Sequence, residues 1–208
     1  PRSTLFPYTT LFRSKKGKMV AVLDLSPEEV ECLVERHRSH GTISICNYNA
    51  PTESVVTGDF DAVTQLERYI RENRIGRVTD LEQQGAWHSE HMKPAQEIFA
   101  AAMAQTKIAS PKVPMIFNHT AEYAQEPDEI RDRLVRILTT PVRWHGCLRR
   151  VAQTSPKIFC EVGPHKILRG LLRKSYRQIG CEGYDVFSLG DVASLNAFVE
   201  KIGSKKIG

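Results

Sequence analysis

Residues 19–85 alternate short β-rich runs with amphipathic helical patterns, in the order strand, helix, strand, strand, helix, strand. The first helix follows MVAVLDL, and Ser26, Pro27 and Glu29 give it a capping box and a favourable first turn. Turn-rich residues separate TISICN from ESVVTG, and FDAVTQLERYIREN precedes the last run, RVTDLEQ. This order leaves few topologies open, and it predicts the ferredoxin-like split βαβ arrangement.

Residues 86–208 follow a second pattern, in which apolar runs alternate with longer helical segments. KVPMIFN, KIFCEV and YDVFSL are predicted as strands, and helices are predicted in MKPAQEIFAAAMAQT, PDEIRDRLVRILTTP, VRWHGCLRRVAQ, GPHKILRGLLRKSYRQI and VASLNAFVEKI. Strands that alternate with helices indicate a parallel sheet covered on both faces. KIFCEV is therefore expected to be a buried strand, with Cys160 in the core. The predicted fold class is α/β throughout.

The first 18 residues are predicted to lie outside the fold. PRSTLFPYTTLFRSKKGK has no helical or strand period and no continuous apolar stretch of the kind found in secretory signals. Residues 1–14 resemble translated sequencing adapter. The expected organisation is thus a non-native, disordered leader over 1–18, a small subdomain over 19–85 and a larger part over 86–208.

Composition excludes several classes of protein. No run approaches the roughly 18 apolar residues that a membrane-spanning helix needs. The five cysteines are odd in number and include no CxxC pair, so neither a disulfide framework nor a zinc knuckle is predicted, and a reducing cytoplasm is the expected location. The net charge of +5 is spread over clusters without interleaved aromatics, unlike a base-stacking surface. These clusters are either solvated helix faces or a surface for an acidic partner.

The segment GAWHSEHM holds two histidines, His88 and His91, in an H-x-x-H spacing. Three interpretations are open: a pair of metal ligands, a histidine satisfied by a backbone carbonyl, or a general base for a distant nucleophile. No further Cys, Asp or His lies at a supporting spacing, which disfavours the metal. The 208 residues contain no G-x-S-x-G elbow, and Ser89 is adjacent to His88, so their side chains diverge. The pattern indicates half of an active site.

Five motifs, taken together and in order from about Met19, resemble the C-terminal part of malonyl-CoA:acyl carrier protein transacylases. They are MVAVLDLSPEEVE, NYNAP followed by VVTG, GAWHSEHMKPA, TTPVRW and EVGPHKIL. The resemblance implies a ferredoxin-like βαββαβ small subdomain followed by the second half of an α/β-hydrolase-like core. In the family the nucleophilic serine, the oxyanion loop and the arginine for the malonyl carboxylate precede these motifs, and none of them is found here. The resemblance therefore implies a truncated chain that is inactive on its own.

The resemblance also implies roles for individual residues. His88 is expected to take the proton of the serine, which then carries the malonyl group as an ester. Its other imidazole nitrogen is expected to be held by the backbone carbonyl at the position of Ile137. Asn47 and Asn49 match residues that line the acyl-CoA cleft, and Leu81 matches an apolar lining position. From the residues alone, the two asparagines are turn formers and Leu81 belongs to the core.

The implied reaction needs malonyl-CoA and an acidic acyl carrier protein that bears phosphopantetheine, with no cofactor and no metal. Neither a nucleic acid nor a membrane is expected as a partner, and the full-length protein is expected to be a cytoplasmic monomer of fatty-acid or polyketide synthesis. Trp87 and His165 depart from the family, which usually has Phe and a small residue there. The alternative is a non-catalytic ferredoxin-like binding module whose basic face meets an acidic protein or a nucleic acid.

Overall fold

The computed structural model describes residues 17–82 and 85–204, which divide into a unit that ends at Cys147 and a second unit from Leu148 onward. The strands are β1 (Gly17–Leu23), β2 (Ile43–Ala50), β3 (Glu53–Asp59), β4 (Arg77–Asp80), β5 (Met115–Phe117), β6 (Glu122–Ala124), β7 (Ile158–Val162) and β8 (Asp185–Leu189). The α-helices are α1 (Pro27–His37), α2 (Phe60–Asn73), α3 (Lys93–Ala104), α4 (Pro127–Arg136), α5 (Trp144–Ala152), α6 (Ile167–Ile179) and α7 (Val192–Ser204), with short 3₁₀ helices at Arg38–His40 and Glu90–Met92.

The first strand begins earlier than the sequence indicates. Gly17 and Lys18, which were assigned to the leader, pair with Asp59 and Gly58 of β3. Lys18 also forms ion pairs with Glu67 at 2.6 Å and Asp80 at 3.2 Å. Glycine and lysine are poor strand formers, so only this tertiary pairing extends the strand to them. The rest of the predicted leader lies outside the described residues.

Strands β1 to β4 form one sheet in the order β2-β3-β1-β4, and every neighbouring pair is antiparallel. The order of strands and helices in this segment is the one predicted. The capping box of α1 is present, since the Ser26 hydroxyl accepts from the Glu29 amide and the Glu29 carboxylate accepts from the Ser26 amide. Local signals of this kind explain why the prediction succeeded here.

The two faces of this sheet are covered differently. Because successive side chains of a strand point to opposite faces, Val20 and Val22 face one way while Met19 and Ala21 face the other. The first face, together with α1 and α2, forms the main core of the unit, which consists of Val20, Val22, Leu25, Val30, Leu33, Val34, Ile43, Ile45, Val56, Ala62, Val63, Leu66, Ile70 and Val78. The second face carries a smaller apolar cluster, and this cluster adjoins the candidate site.

The rest of the first unit departs from the predicted parallel sheet. β5 and β6 form an antiparallel hairpin, and β6 was not predicted because three residues of mixed polarity give no strand period. The hairpin packs with α4 in a core of Phe117, Ala124 and Ile130, which Ile108, Met115 and Leu134 flank. Along α3, Met103 is buried while Ile98 is 40% exposed.

The second unit contains a parallel pair, β7 and β8, in which Cys160 is level with Phe187. The prediction that KIFCEV is buried is wrong. Along β7 the side chains of Ile158, Cys160 and Val162 are exposed, and Val162 reaches 81%. Only the other face of β7 is covered, where Phe159 packs edge-on against two tyrosine rings. Cys160 is therefore a surface thiol rather than a core residue.

Among the helices that the structure describes, none has the length and apolar content that crossing a bilayer requires.

Candidate active site

His88 lies between β4 and the 3₁₀ helix Glu90–Met92, and its backbone is left-handed, with φ at 56°. A residue with a Cβ atom rarely adopts this conformation, and such strain concentrates at functional positions. The turn is fixed by Ser89, whose hydroxyl donates to the Ala86 carbonyl at 2.6 Å and accepts from the His91 amide at 3.3 Å. The local structure thus holds the histidine in a conformation that an unconstrained chain would avoid.

The Nδ1 atom of His88 is 2.8 Å from the carbonyl oxygen of Ile137. A carbonyl can only accept, so Nδ1 carries the proton and donates it, which leaves Nε2 as the basic nitrogen. Ile137 is the C-cap of α4, so the imidazole meets the C-terminal end of that helix. The contact that the family resemblance implied is therefore present, and it produces an oriented base without a carboxylate.

Asn47 and Asn49 lie inside β2 and not in the turn that follows it, so their interpretation as turn formers is wrong. The register between β2 and β3 is irregular here, which lets the polar NYN sequence stay in the strand. Val142 binds β2 through two backbone hydrogen bonds of 2.8 Å, to Cys46 and Tyr48. The segment 137–142 therefore connects the acceptor of the His88 hydrogen bond with the strand that carries both asparagines.

Leu81 lies just beyond β4, and its amide donates to the Met19 carbonyl at 3.1 Å. Its side chain and that of Trp87 are partly buried on the second face of the sheet. They pack there against a small cluster of Met19, Ala21, Cys46 and Val55. Leu81 and Trp87 are thus brought together, next to the strand position that precedes Asn47.

His91 has a partner that the sequence did not reveal. Its Nε2 atom is 3.0 Å from an Asp59 carboxylate oxygen, and the other oxygen of Asp59 accepts from the Thr42 amide at 2.8 Å. Asp59 precedes His91 by 32 residues, and no local pattern links the two.

The two histidines contact different residues, since the imidazole of His88 meets the Ile137 carbonyl and that of His91 meets Asp59. Over residues 17–82 and 85–204 no group of three or more His, Cys, Asp or Glu side chains is arranged to hold a metal ion.

Ser89, His91 and Asp59 form a line that resembles a catalytic triad, since the Ser89 hydroxyl is 3.4 Å from Nδ1 of His91. The serine is only 5% exposed, however, and its single proton is donated to the Ala86 carbonyl. A nucleophile needs an accessible oxygen and a base that removes its proton. Ser89 is therefore a structural cap of the turn that carries His88.

The cysteine nearest to this site is not a nucleophile. Cys46 is fully buried, and burial raises the pKa of its thiol to about 12. Burial also raises the pKa of Tyr48 to about 12, and the carboxylate of Glu31, which accepts the tyrosine hydrogen at 2.9 Å, adds to the shift. Both groups are neutral at physiological pH, so neither is available as an anionic nucleophile or base.

The motif EVGPHKIL has a structural function within the second unit. The carboxylate of Glu161 accepts from the backbone amides of Leu168 and Arg169, at 2.9 and 3.0 Å, and so caps the first turn of α6. His165, which departs from the family pattern, lies exposed in the turn before this helix. Nothing in the structure explains why a histidine occupies that position.

Comparison with known proteins gives a consistent result. The model of the acyl transferase domain family matches residues 9–200, a range that begins inside the predicted leader. A malonyl CoA-acyl carrier protein transacylase from Bacillus subtilis is 30% identical over 165 residues, which are 79% of this chain and 52% of that protein. The structure of the transacylase from Clostridium perfringens superposes with a TM-score of 0.85 at 24% identity, over 95% of this chain and 62% of that one.

A third similar protein was solved as a complex. It is a malonyl-transacylase bound to a type II polyketide acyl carrier protein, with a TM-score of 0.84 at 23% identity, over 93% of this chain and 61% of that one. These solved structures share the α/β fold of the present chain. The chain spans about half to three fifths of the length of the relatives it matches.

Proposed function

We propose that this chain, which belongs to the acyl transferase domain family, supplies the general base for malonyl transfer in the intact protein. The donor is malonyl-CoA and the acceptor is the phosphopantetheine thiol of acyl carrier protein, in fatty-acid or polyketide synthesis. The observation that carries the proposal is the 2.8 Å contact between His88 Nδ1 and the Ile137 carbonyl oxygen. It leaves Nε2 as the free, basic nitrogen of an oriented imidazole, the side chain that most often serves as a general base.

The reaction needs a serine nucleophile, which the intact protein must provide because these 208 residues contain no serine elbow. Nε2 of His88 takes the serine proton as the oxygen attacks the thioester carbonyl, and the tetrahedral intermediate expels the thiolate of CoA. That thiolate takes the proton from the imidazolium, which leaves a malonyl ester on serine. The phosphopantetheine thiol then gives its proton to Nε2 and attacks the ester, and the released serine oxygen recovers a proton from His88.

Asn47, Asn49 and Leu81 are proposed to line the acyl-CoA cleft. The support is topological, since segment 137–142 joins the His88 acceptor to β2 and Leu81 packs beside Trp87. Amide side chains can hydrogen-bond the polar groups of CoA, while Leu81 offers apolar surface. Trp87 is larger than the Phe usual in the family and adjoins the base, so it is proposed to influence which acyl group is accepted.

We also infer the finer architecture. The strand order β2-β3-β1-β4 supports a ferredoxin-like small subdomain over 19–85, and the parallel pair β7–β8 supports an α/β-hydrolase-like core over 86–208.

The partner and the compartment are proposed from charge and cysteine content. A net charge of +5 suits an acidic carrier protein. Five free cysteines suit a reducing cytoplasm, and no cofactor or metal is required for transfer between thiols. The intact protein is proposed to act as a monomer.

One cluster of basic side chains gives little support to the alternative of a module that binds nucleic acid. A cavity of about 530 Å³ is lined by Arg71, Arg74 and Arg77. Arg71 forms an ion pair with Glu67 at 2.8 Å, and Arg77 forms one with Asp24 at 2.5 Å. Two of the three cationic side chains are therefore paired with carboxylates, which reduces the positive charge that this cavity offers to phosphates.

The test is malonyl transfer by the intact, serine-containing protein with His88→Asn. Asparagine tolerates a left-handed backbone, so the turn is kept while the base is lost. We expect kcat to fall about a hundredfold or more, the usual scale for an acid–base group. His165→Asn is the matched control, because that histidine is exposed in the second unit, and its activity should stay near wild type. Wild-type turnover with His88→Asn would refute the proposal.

A further inference from the structure

Gln96 on α3 forms hydrogen bonds to residues on either side of Ile137, whose carbonyl accepts the His88 hydrogen bond. Its Nε2 atom is 3.1 Å from the Val135 carbonyl oxygen and 2.8 Å from the Thr139 hydroxyl. A primary amide nitrogen carries two hydrogens, so one group can make both bonds. Val135 and Thr139 lie two residues before and two residues after Ile137. We propose that Gln96 is a positioning residue for His88, and that it fixes the Ile137 carbonyl and thereby the Nδ1–H tautomer.

Gln96 adds a side-chain donor to the turn that ends α4. The last carbonyls of an α-helix have no intrahelical donor, and α4 ends at Arg136 with Ile137 as its C-cap. The Val135 carbonyl accepts from the Ile137 amide and, at 3.5 Å, from the Leu138 amide, and Gln96 adds a side-chain donor at 3.1 Å. The direction of the Ile137 carbonyl depends on the shape of this turn, so it depends on Gln96.

His88 and Gln96 belong to one continuous stretch, because the 3₁₀ helix Glu90–Met92 runs directly into α3 at Lys93. This stretch contacts segment 135–139 at three points: the imidazole meets the central carbonyl, and the amide binds on either side of it. A strained backbone such as that of His88 persists only where its surroundings determine it strongly. Gln96 contributes to this constraint through its hydrogen bonds to Val135 and Thr139.

If Gln96 had only a structural role, its substitution would change different measured quantities. If Gln96 only anchored α3 to α4, its loss would lower the free energy of unfolding and leave the state of the imidazole unchanged. In the proposed role, the Ile137 carbonyl loses its fixed direction and the requirement for a proton on Nδ1 is relaxed. The tautomer of His88 therefore separates the two roles. The importance of that tautomer for catalysis rests on the proposed function, whereas its population can be measured without any activity.

The experiment records long-range ¹H–¹⁵N spectra of the imidazoles in this chain, labelled with ¹⁵N-histidine, at a pH where His88 is neutral. In the wild type we expect His88 as the Nδ1–H tautomer. Gln96→Met keeps the length of the side chain and removes both donors, and the ratio of Nδ1–H to Nε2–H should fall about fivefold, the equivalent of one hydrogen bond. Glu97→Met is the matched control, since Glu97 is the next residue on α3 and is exposed.

A folded Gln96→Met chain with the wild-type tautomer would overturn the proposal. If that variant does not fold, Thr139→Val decides, because it removes one acceptor and leaves the Val135 bond in place. A ratio of Nδ1–H to Nε2–H below that of the wild type in Thr139→Val supports the positioning role, and an unchanged ratio overturns it. In the intact protein, Gln96→Met should lower kcat about tenfold with KM unchanged. If the intact wild type transferred no malonyl group, the proposed function would fail while the tautomer result would still stand.

Discussion

Replacing His88 by alanine and by glycine separates the cost of its backbone conformation from the value of its imidazole. Both variants lose the hydrogen bond to Ile137, so that loss cancels when the two are compared. A Cβ atom at a φ of 56° costs roughly 1–2 kcal/mol, and glycine removes this cost. Glycine also makes the unfolded chain more flexible, which costs about 0.5–1 kcal/mol. His88→Gly should therefore be about 0.5–1 kcal/mol more stable than His88→Ala.

The assay is urea unfolding followed by tryptophan fluorescence, because Trp87 adjoins the substituted position. With a slope of about 2 kcal/mol per M, the midpoint of His88→Gly should lie about 0.25–0.5 M above that of His88→Ala. Glu97→Ala and Glu97→Gly form the matched control on α3. Its backbone is an ordinary helix, so glycine should be less stable there by about 1 kcal/mol.

The opposite signs at the two positions are the decisive result. If His88→Ala were as stable as His88→Gly, or more so, while the Glu97 pair behaved as expected, the backbone of His88 would carry no strain. The inference that neighbouring contacts hold this histidine in an unfavourable conformation would then be refuted.

Three further results are expected. Incubation of this chain alone with malonyl-CoA should give no acyl-ester adduct by intact-mass spectrometry, and a stable ester on any serine would contradict the assignment of the nucleophile to a missing elbow. Limited proteolysis should leave a resistant core within 19–85 and cleave 86–208 first, because β7 exposes apolar side chains; uniform resistance would count against this. The raised pKa of Cys46, about 12, means that its thiol is neutral at pH 8, so a thiol reagent should label exposed Cys32 and Cys160 and spare it until the chain unfolds. Since the neutral thiol is the form that folding favours, its contribution to stability is present below the ordinary pKa of 9.0 and is lost as the pH rises toward 12.

Local signals account for most of what the sequence predicted correctly. The capping box of α1 and the period of α2 lie within a few residues of the elements they specify, and both helices form as expected. Predictions failed where a distant partner decides the outcome. Lys18 enters a strand because β3 pairs with it, and Cys160 is exposed because one face of β7 has no covering element in the second unit.

The candidate site shows the same division. His88 was identified from its motif, and the position of its carbonyl partner followed from the family resemblance. The left-handed backbone of His88 could not be predicted from its neighbours in the sequence, since Trp87 and Ser89 do not favour such a turn. The Asp59 partner of His91 joins residues far apart in the chain. Such a contact depends on the tertiary packing of β3 against the turn that carries the histidines. The spacing of hydrophobic residues along the chain does not predict this packing.

An imidazole backed by a carbonyl rather than a carboxylate suits the chemistry proposed for it. In a Ser-His-Asp enzyme that cleaves amides, the leaving amine must be protonated, and a buried carboxylate stabilises the imidazolium that delivers the proton. When the serine attacks malonyl-CoA, the thioester releases a thiol whose ordinary pKa is about 8.5, so this leaving group departs with much less help from an acid. In that half of the reaction His88 needs orientation more than charge compensation, and it acts as an acid when the serine oxygen leaves in the second half. The Ile137 carbonyl provides the orientation, and the C-terminus of α4 adds a partial negative charge. Gln96 holds the turn that contains this carbonyl.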